Sequence, residues 1–156
     1  MSAEPGKPRI AVFGGRVASE SLLESAYQVG SQIAAREGIL YCGGMGGVME
    51  AASRGAAEHG GVVVGILPTA EAETANPYVT IPIVTGIGTA RNSIIARSVH
   101  GAIAINGQYG TLSEIAYSLD LHIPVVGIHS WEVEGVIPAT DARDAIVKLW
   151  EVCQWE

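Results

Sequence analysis

At 156 residues the chain has the length of one domain with a sizeable core. Hydrophobic residues make up 48% of it and charged residues 16%, with mean hydropathy +0.30, so charge is scarcer than the roughly 25% of an average soluble domain and a second copy is expected to cover part of the surface. A net charge of −7, a pI near 5.0 and nine scattered Lys and Arg residues give no basic stripe, which disfavours nucleic-acid binding, and no apolar run reaches membrane-spanning length.

Residues 1–8, with Pro5, Gly6 and Pro8, read as a loose leader, and residues 9–156 as a single domain. Arg9–Phe13 reads as a first strand ending at Gly14-Gly15. Ser19–Arg36 follows with helical spacing, Leu22, Leu23, Ala26, Val29, Ile33 and Ala34 forming one face and Ser19 offering an N-cap. Ile39–Cys42 is a second strand and Val48–His59 an alanine-rich helix. Val62–Leu67 is apolar and rich in β-branched residues, the pattern of a strand buried on both faces. After an acidic loop at Pro68–Pro77, Tyr78–Val84 returns to strand character and Thr89–Val99 to a helix. Ala102–Ile105, Thr111–Leu121, Pro124–Ile128 and Ala142–Val152 complete the alternation as strand, helix, last strand and terminal helix. Trp150 falls on an apolar stripe of the last helix with Ile146, Val147 and Leu149. The expected fold is α/β: a single Rossmann-like domain, mainly parallel sheet with helices on both faces.

Two glycine-rich turns each join a strand to a helix. The first is Cys42-Gly43-Gly44-Met45-Gly46-Gly47-Val48-Met49-Glu50, the second Asn106-Gly107-Gln108-Tyr109-Gly110-Thr111-Leu112-Ser113-Glu114. A strand turning tightly into a helix aims unpaired backbone N–H groups and the positive end of the helix dipole at one spot, and glycine lets an anion approach that backbone closely. Both turns lie at strand carboxyl ends, where parallel sheets bind ligands. Gly14, Gly15, Gly43, Gly44, Met45, Gly46, Gly47, Arg91, Asn92, Gly107, Tyr109, Gly110, Thr111 and Glu114 are therefore the candidate ligand- and phosphate-binding residues.

Arg91 begins a helix, where the dipole disfavours a cation, and its planar fork suits a phosphate or carboxylate. Glu114 either forms a capping box with Thr111 or serves ribose hydroxyls or acid/base chemistry. No G-x-G-x-x-G, Walker-type P-loop or G-x-S-x-G elbow occurs. His59, His100, His122 and His129 have no metal-ligand spacing, His59 and His100 falling at helix ends where a dipole contact is the ordinary role. Cys42 and Cys153 fit neither a metal pair nor a disulfide framework, so no metal is expected, and reduced thiols in a cytoplasm are the plain reading.

At these residues a resemblance enters. Gly43-Gly44-x-x-Gly47-Val48-Met49 resembles the G-G-G-x-x-G-[LV]-M turn of the Lonely Guy family of cytokinin-activating phosphoribohydrolases, and Asn106–Glu114 its P-G-G-x-G-T-x-E-E segment. Asn106, Gln108, Ser113 and Asn92 stand where that pattern has proline, glycine, glutamate and lysine, and Cys42 and Glu50 replace glycines of the first turn. The Arg91-Asn92 pair and the G-x-x-G-T-x-x-E segment are more similar to the molybdenum-cofactor carrier proteins, and the DNA-processing protein A core resembles the fold more distantly. The resemblance implies a Rossmann-like homo-oligomer, a dimer or tetramer. It would hold a phosphorylated small molecule, molybdenum cofactor or a nucleotide, for delivery to a client enzyme, and need no cofactor for folding. The alternative it implies is a nucleoside 5′-monophosphate phosphoribohydrolase with Arg91 and Glu114 as catalytic residues.

Overall fold

A computed structural model describes residues 6–156. Of the expected leader, residues 1–5 lie outside the described residues, and the Pro8 carbonyl already accepts a hydrogen bond from the Ile39 N–H at 2.8 Å. The elements are β1 (Arg9–Gly14), α1 (Glu20–Ala35), β2 (Ile39–Cys42), α2 (Val48–Glu58), β3 (Val63–Leu67), β4 (Ile81–Val84), α3 (Asn92–Ser98), β5 (Gly101–Ile105), α4 (Tyr109–Asp120), β6 (Val125–Ile128), β7 (Ile137–Ala139) and α5 (Ala142–Val152). Short 3₁₀ turns occupy Ala72–Thr74 and Gly88–Arg91. All seven strands are parallel, in the order β4-β3-β2-β1-β5-β6-β7. The single Rossmann-like α/β domain expected from the alternation is the one observed.

Successive side chains of a strand point to opposite faces, so β1 divides its load. Ile10 and Val12 pack under α1, α2 and α5, against Val29, Ile33, Val48 and Ile146; Ala11 and Phe13 pack under α3 and α4, against Ile95 and Ile115. Helices therefore cover both faces, and β1, β3, β5 and β6 are buried almost throughout. The helix starts follow simple capping chemistry. Ser19 Oγ accepts from the Leu22 N–H at 3.4 Å, and Asp141 accepts from the Asp144 N–H at 2.8 Å. Where α1 and α2 cross, Gly30 and Gly55 admit the opposing backbone: a Cβ on either would collide with the carbonyl of Ala52 or of Tyr27.

The structure departs from the sequence reading in several places. Pro124–Ile128 is not the last strand, because Ile137–Ala139 adds β7 at the sheet edge. The expected Thr89–Val99 helix divides into a 3₁₀ turn ending at Arg91 and α3. The Pro68–Pro77 loop is pinned near its end by the buried Asn76. Val147 leaves the apolar stripe of α5 at 49% exposed, whereas Ile146, Leu149 and Trp150 are buried.

Candidate functional site

The chain builds outward from β1 to β4, then returns to lay β5 on the other side of β1. At this switch point the connections leaving the carboxyl ends of β1 and β5 diverge, and a crevice must open between them. A cleft of about 610 Å³ lies there. It gathers Gly14, Gly15, Arg91, Asn92, Gly107, Gly110, Thr111 and Glu114 from the sequence-expected set. Arg16, Val17, Met49, Thr89, Asn106 and Gln108 line it as well. Arg16 and Val17 directly follow the Gly14-Gly15 pair, the only signal by which the sequence points to them.

The second glycine turn presents itself to this cleft. Gly107 has φ +102°, a left-handed conformation that leaves no room for a side chain beside Thr111. Gln108 is the N-cap of α4 and makes no side-chain capping bond, so the first N–H groups of α4 remain available on the cleft side. Thr111 and Glu114 do not form the capping box that their spacing allows; both side chains turn inward and are buried. Gly110 differs from Gly107: its φ is not positive and an added Cβ would meet nothing within 4 Å. Tyr109 stands 80% exposed at the rim, stacked on Trp131 with ring centroids 6.0 Å apart, and Trp131 Nε1 donates to the Gln108 carbonyl at 3.1 Å.

Arg91 and Glu114 meet in this cleft. Arg91 is 8% exposed; its Nη1 donates to Asn92 Oδ1 and its Nη2 to the Gly43 carbonyl at 3.4 Å. Its Nε is the one buried side-chain nitrogen or oxygen without a partner among the described residues. Asn92 Nδ2 donates to Ser113 Oγ at 3.1 Å, and Ser113 Oγ to the Gly110 carbonyl at 2.6 Å, tying the arginine to the start of α4. Asn92 and Ser113, two of the departures from the Lonely Guy pattern, are thus partners: a neutral hydrogen bond stands where that pattern has lysine and glutamate. Glu114 is 6% exposed, and burial pushes its carboxyl up to about 8 against the opposing pull of Arg91. Burial also lowers the Arg91 guanidinium from its ordinary value, with Glu114 acting the other way. No ion pair within 4 Å joins the two among the described residues. At neutral pH the cleft therefore holds a guanidinium with a free donor beside a carboxyl that keeps its proton.

The first glycine turn lies behind the arginine. A Cβ on Gly43 would lie 2.5 Å from Arg91 Nη2, so the missing side chain makes room for the guanidinium. Gly44 packs against Leu67, and its N–H donates to Cys42 Sγ at 3.3 Å. Gly47, at φ +66°, is the N-cap of α2 and lies against the backbone of Gly15 and Arg16. Asn76 braces the turn from outside: its N–H donates to the Gly44 carbonyl at 2.8 Å and its Nδ2 to the Met45 carbonyl at 3.0 Å. Gly43, Gly44, Met45 and Gly46 do not line the β1–β5 cleft, and Gly47 lines a neighbouring one. His59 Nδ1 lies 2.8 Å from the Gly55 carbonyl in the last turn of α2, in keeping with a helix-end role. His100 Nδ1 instead accepts from the Arg9 N–H at 3.0 Å, and burial and Arg9 lower its pKa. No group of three or more His, Cys, Asp or Glu able to hold a metal occurs among the described residues, and no helix among them is long and apolar enough to cross a membrane.

Comparison with known proteins finds the same fold in relatives of this chain. The molybdenum cofactor binding protein of Rippkaea orientalis superposes with a TM-score of 0.90 at 34% identity, over 96% of this chain and 99% of that one. The molybdenum cofactor carrier protein of Chlamydomonas reinhardtii gives 0.88 at 34% identity over the same shares. A probable cytokinin riboside 5′-monophosphate phosphoribohydrolase of Oryza sativa is 28% identical over 130 residues, 77% of this chain but 57% of that protein. The model of the SLOG cluster4 family matches residues 7–153, and the chain belongs to that family.

Proposed function

We propose that the protein binds and carries a phosphorylated small molecule, molybdenum cofactor or a nucleotide-like compound, and does so without turnover. The observation that carries this reading is the chemistry of the β1–β5 cleft. Among the described residues Glu114 is the one carboxyl group that lines it, and burial raises its pKa to about 8. The phosphoribohydrolase pattern described above carries a further glutamate and a lysine, and here Ser113 and Asn92 stand in their places, so acid/base work would fall on one buried carboxyl. Binding an anion needs only donors. The free Nε of Arg91, the Glu114 hydroxyl and the uncapped start of α4 supply them, and the open space at Gly110 admits a phosphate. The two molybdenum-cofactor proteins named above support the cargo class; the residues present fit its phosphate end. Release to a client enzyme in the cytoplasm belongs to the same reading.

The second reading, a nucleoside 5′-monophosphate phosphoribohydrolase, draws on the rice relative and on Arg91 and Glu114 sharing one cleft. Incubating the purified protein with nucleoside 5′-monophosphates and separating the products by chromatography decides between them. The expected result is no free base, with thermal stabilisation by a phosphorylated pterin or nucleotide that Arg91→Ala removes. Release of base that disappears in Glu114→Gln would overturn the carrier reading.

A further inference from the structure

The polar groups around the β1–β5 cleft divide into acceptors already engaged and donors left free. The Gly15 carbonyl accepts from the Val48 N–H at 3.0 Å, and the Asn106 carbonyl from Ser130 Oγ at 2.9 Å. The Gln108 carbonyl accepts twice, from Trp131 Nε1 at 3.1 Å and from the Leu112 N–H at 3.0 Å. The Gly110 carbonyl accepts from Ser113 Oγ, and Asn92 Oδ1 from Arg91. The side chains of Thr89, Asn106 and Gln108 on the cleft wall can each donate or accept, so they adapt to a ligand and do not select one.

The fixed donors are unengaged. Arg91 is 8% exposed and its Nε has no partner, and the start of α4 has no side-chain cap. Glu114 decides the balance. It is 6% exposed, and its carboxyl makes no hydrogen bond and no ion pair among the described residues. Since Arg91 Nε is the one fully enclosed side-chain atom without a partner, the Glu114 oxygens reach the open space of the cleft that they line. A buried carboxylate calls for donors from the protein, and the fold hydrogen-bonds none to it; burial accordingly raises its pKa. As an acid the group donates, and as a carboxylate it could only accept. The other titratable groups around it are Arg91 ahead of α3, Arg16 from the β1–α1 connection and Cys42 at the end of β2. Arginines keep their charge near neutrality and burial raises the Cys42 thiol, so Glu114 is the group whose charge changes.

A site whose fixed groups all donate suits an anion that only accepts. A phosphate monoester is such an anion above its second pKa of about 6; its monoanion carries an O–H that would face donors. We infer that the β1–β5 cleft selects the phosphate monoester as its dianion and that Glu114 holds it through the acid hydrogen, so that loss of that proton releases the ligand. The inference rests on the proposed binding of a phosphorylated ligand in this cleft. To that reading it adds the charge state in which the ligand is taken and the event that lets it go. Binding is then confined between two titrations, that of the ligand below and that of Glu114, at about 8, above.

Calorimetric titration of the full chain with adenosine 5′-monophosphate from pH 5 to pH 9 tests it. Affinity should be greatest near pH 7 and fall about 5- to 10-fold toward each end, because one proton must be absent from the ligand and one present on the protein. At pH 9, titrations in buffers of different ionisation enthalpy should show roughly one proton taken up per ligand bound. Glu114→Gln keeps a donor and cannot ionise, so the alkaline fall should vanish while the acid fall, which belongs to the ligand, stays. Constant affinity from pH 7 to pH 9 in the wild type, or an alkaline fall that survives Glu114→Gln, overturns the role of Glu114 and leaves the anion site standing. Affinity that holds or rises down to pH 5 overturns the selection of the dianion. No binding at any pH, or affinities indifferent to Arg91→Ala, overturn the carrier reading and this inference with it.

Discussion

Glu114 concentrates the chemistry of the cleft in one proton. Its carboxyl ordinarily titrates at 4.5 and is raised to about 8 in the fold, chiefly by burial. Between those values the native state holds a proton that the unfolded chain has lost, so this residue makes stability fall as pH rises from about 4.5 to about 8. The whole effect is on the order of a few kcal/mol. Glu114→Gln keeps the shape and removes the titration. Its melting temperature should match the wild type below pH 4.5 and exceed it by several degrees at pH 8.5, followed by calorimetry across the range. A difference that stays constant with pH would show that the carboxyl titrates normally in the fold. Arg91 stands in the complementary position. Its guanidinium is fixed by Asn92 and Gly43, yet Nε is left without a partner, so the residue is held in place and still has a donor to offer.

At the scale of the element, the start of α4 shows that two glycines of one motif do different work. Gly107 is demanded by the fold, through its positive φ and the contact with Thr111; Gly110 is not. Alanine in a helix is favoured over glycine by about 1 kcal/mol, so Gly110→Ala should stabilise the protein modestly in denaturant unfolding. The same methyl group would occupy space on the cleft side of the helix start and weaken binding of a phosphorylated ligand at least several-fold. A variant that is more stable and binds equally well would remove Gly110 from the site. The strand–helix alternation, both glycine turns, Arg91 and Glu114 were legible in the sequence because each has a local signature, a period or a motif. Strand β7 was not: it has three residues, carries Pro138 at its centre and pairs on one side only. The Asn92–Ser113 bond joins residues 21 apart, and Arg16, Val17 and Met49 reach the cleft through the crossover from β1 to β5. Spacing along the chain does not encode such contacts.

For the whole molecule, the β4 edge is a surface that a single copy leaves unexplained. All four residues of β4 are exposed, among them Ile81 at 47%, Ile83 at 43% and Val84 at 46%, and Ile87 just beyond is at 51%. In the other edge strand, β7, Ile137 and Ala139 are half-buried and Pro138 is exposed. From Tyr78 to Ala90 the sequence contains no charged residue, so this edge presents a second copy with neither repulsion nor a charge to neutralise. An apolar, uncharged surface is its own complement, which is what a two-fold interface requires. Pro82 supplies no N–H at the middle of the strand, so association would proceed through side chains rather than by extending the sheet. Sedimentation equilibrium should therefore give two or four times the 16.2 kDa of the chain. Ile83→Lys places a charge in the contact at a residue already partly in solvent; it should yield the single chain with unchanged circular dichroism. A wild type that sediments as one chain would leave this edge without an occupant of its own kind. A variant that stays assembled would move the contact to another face.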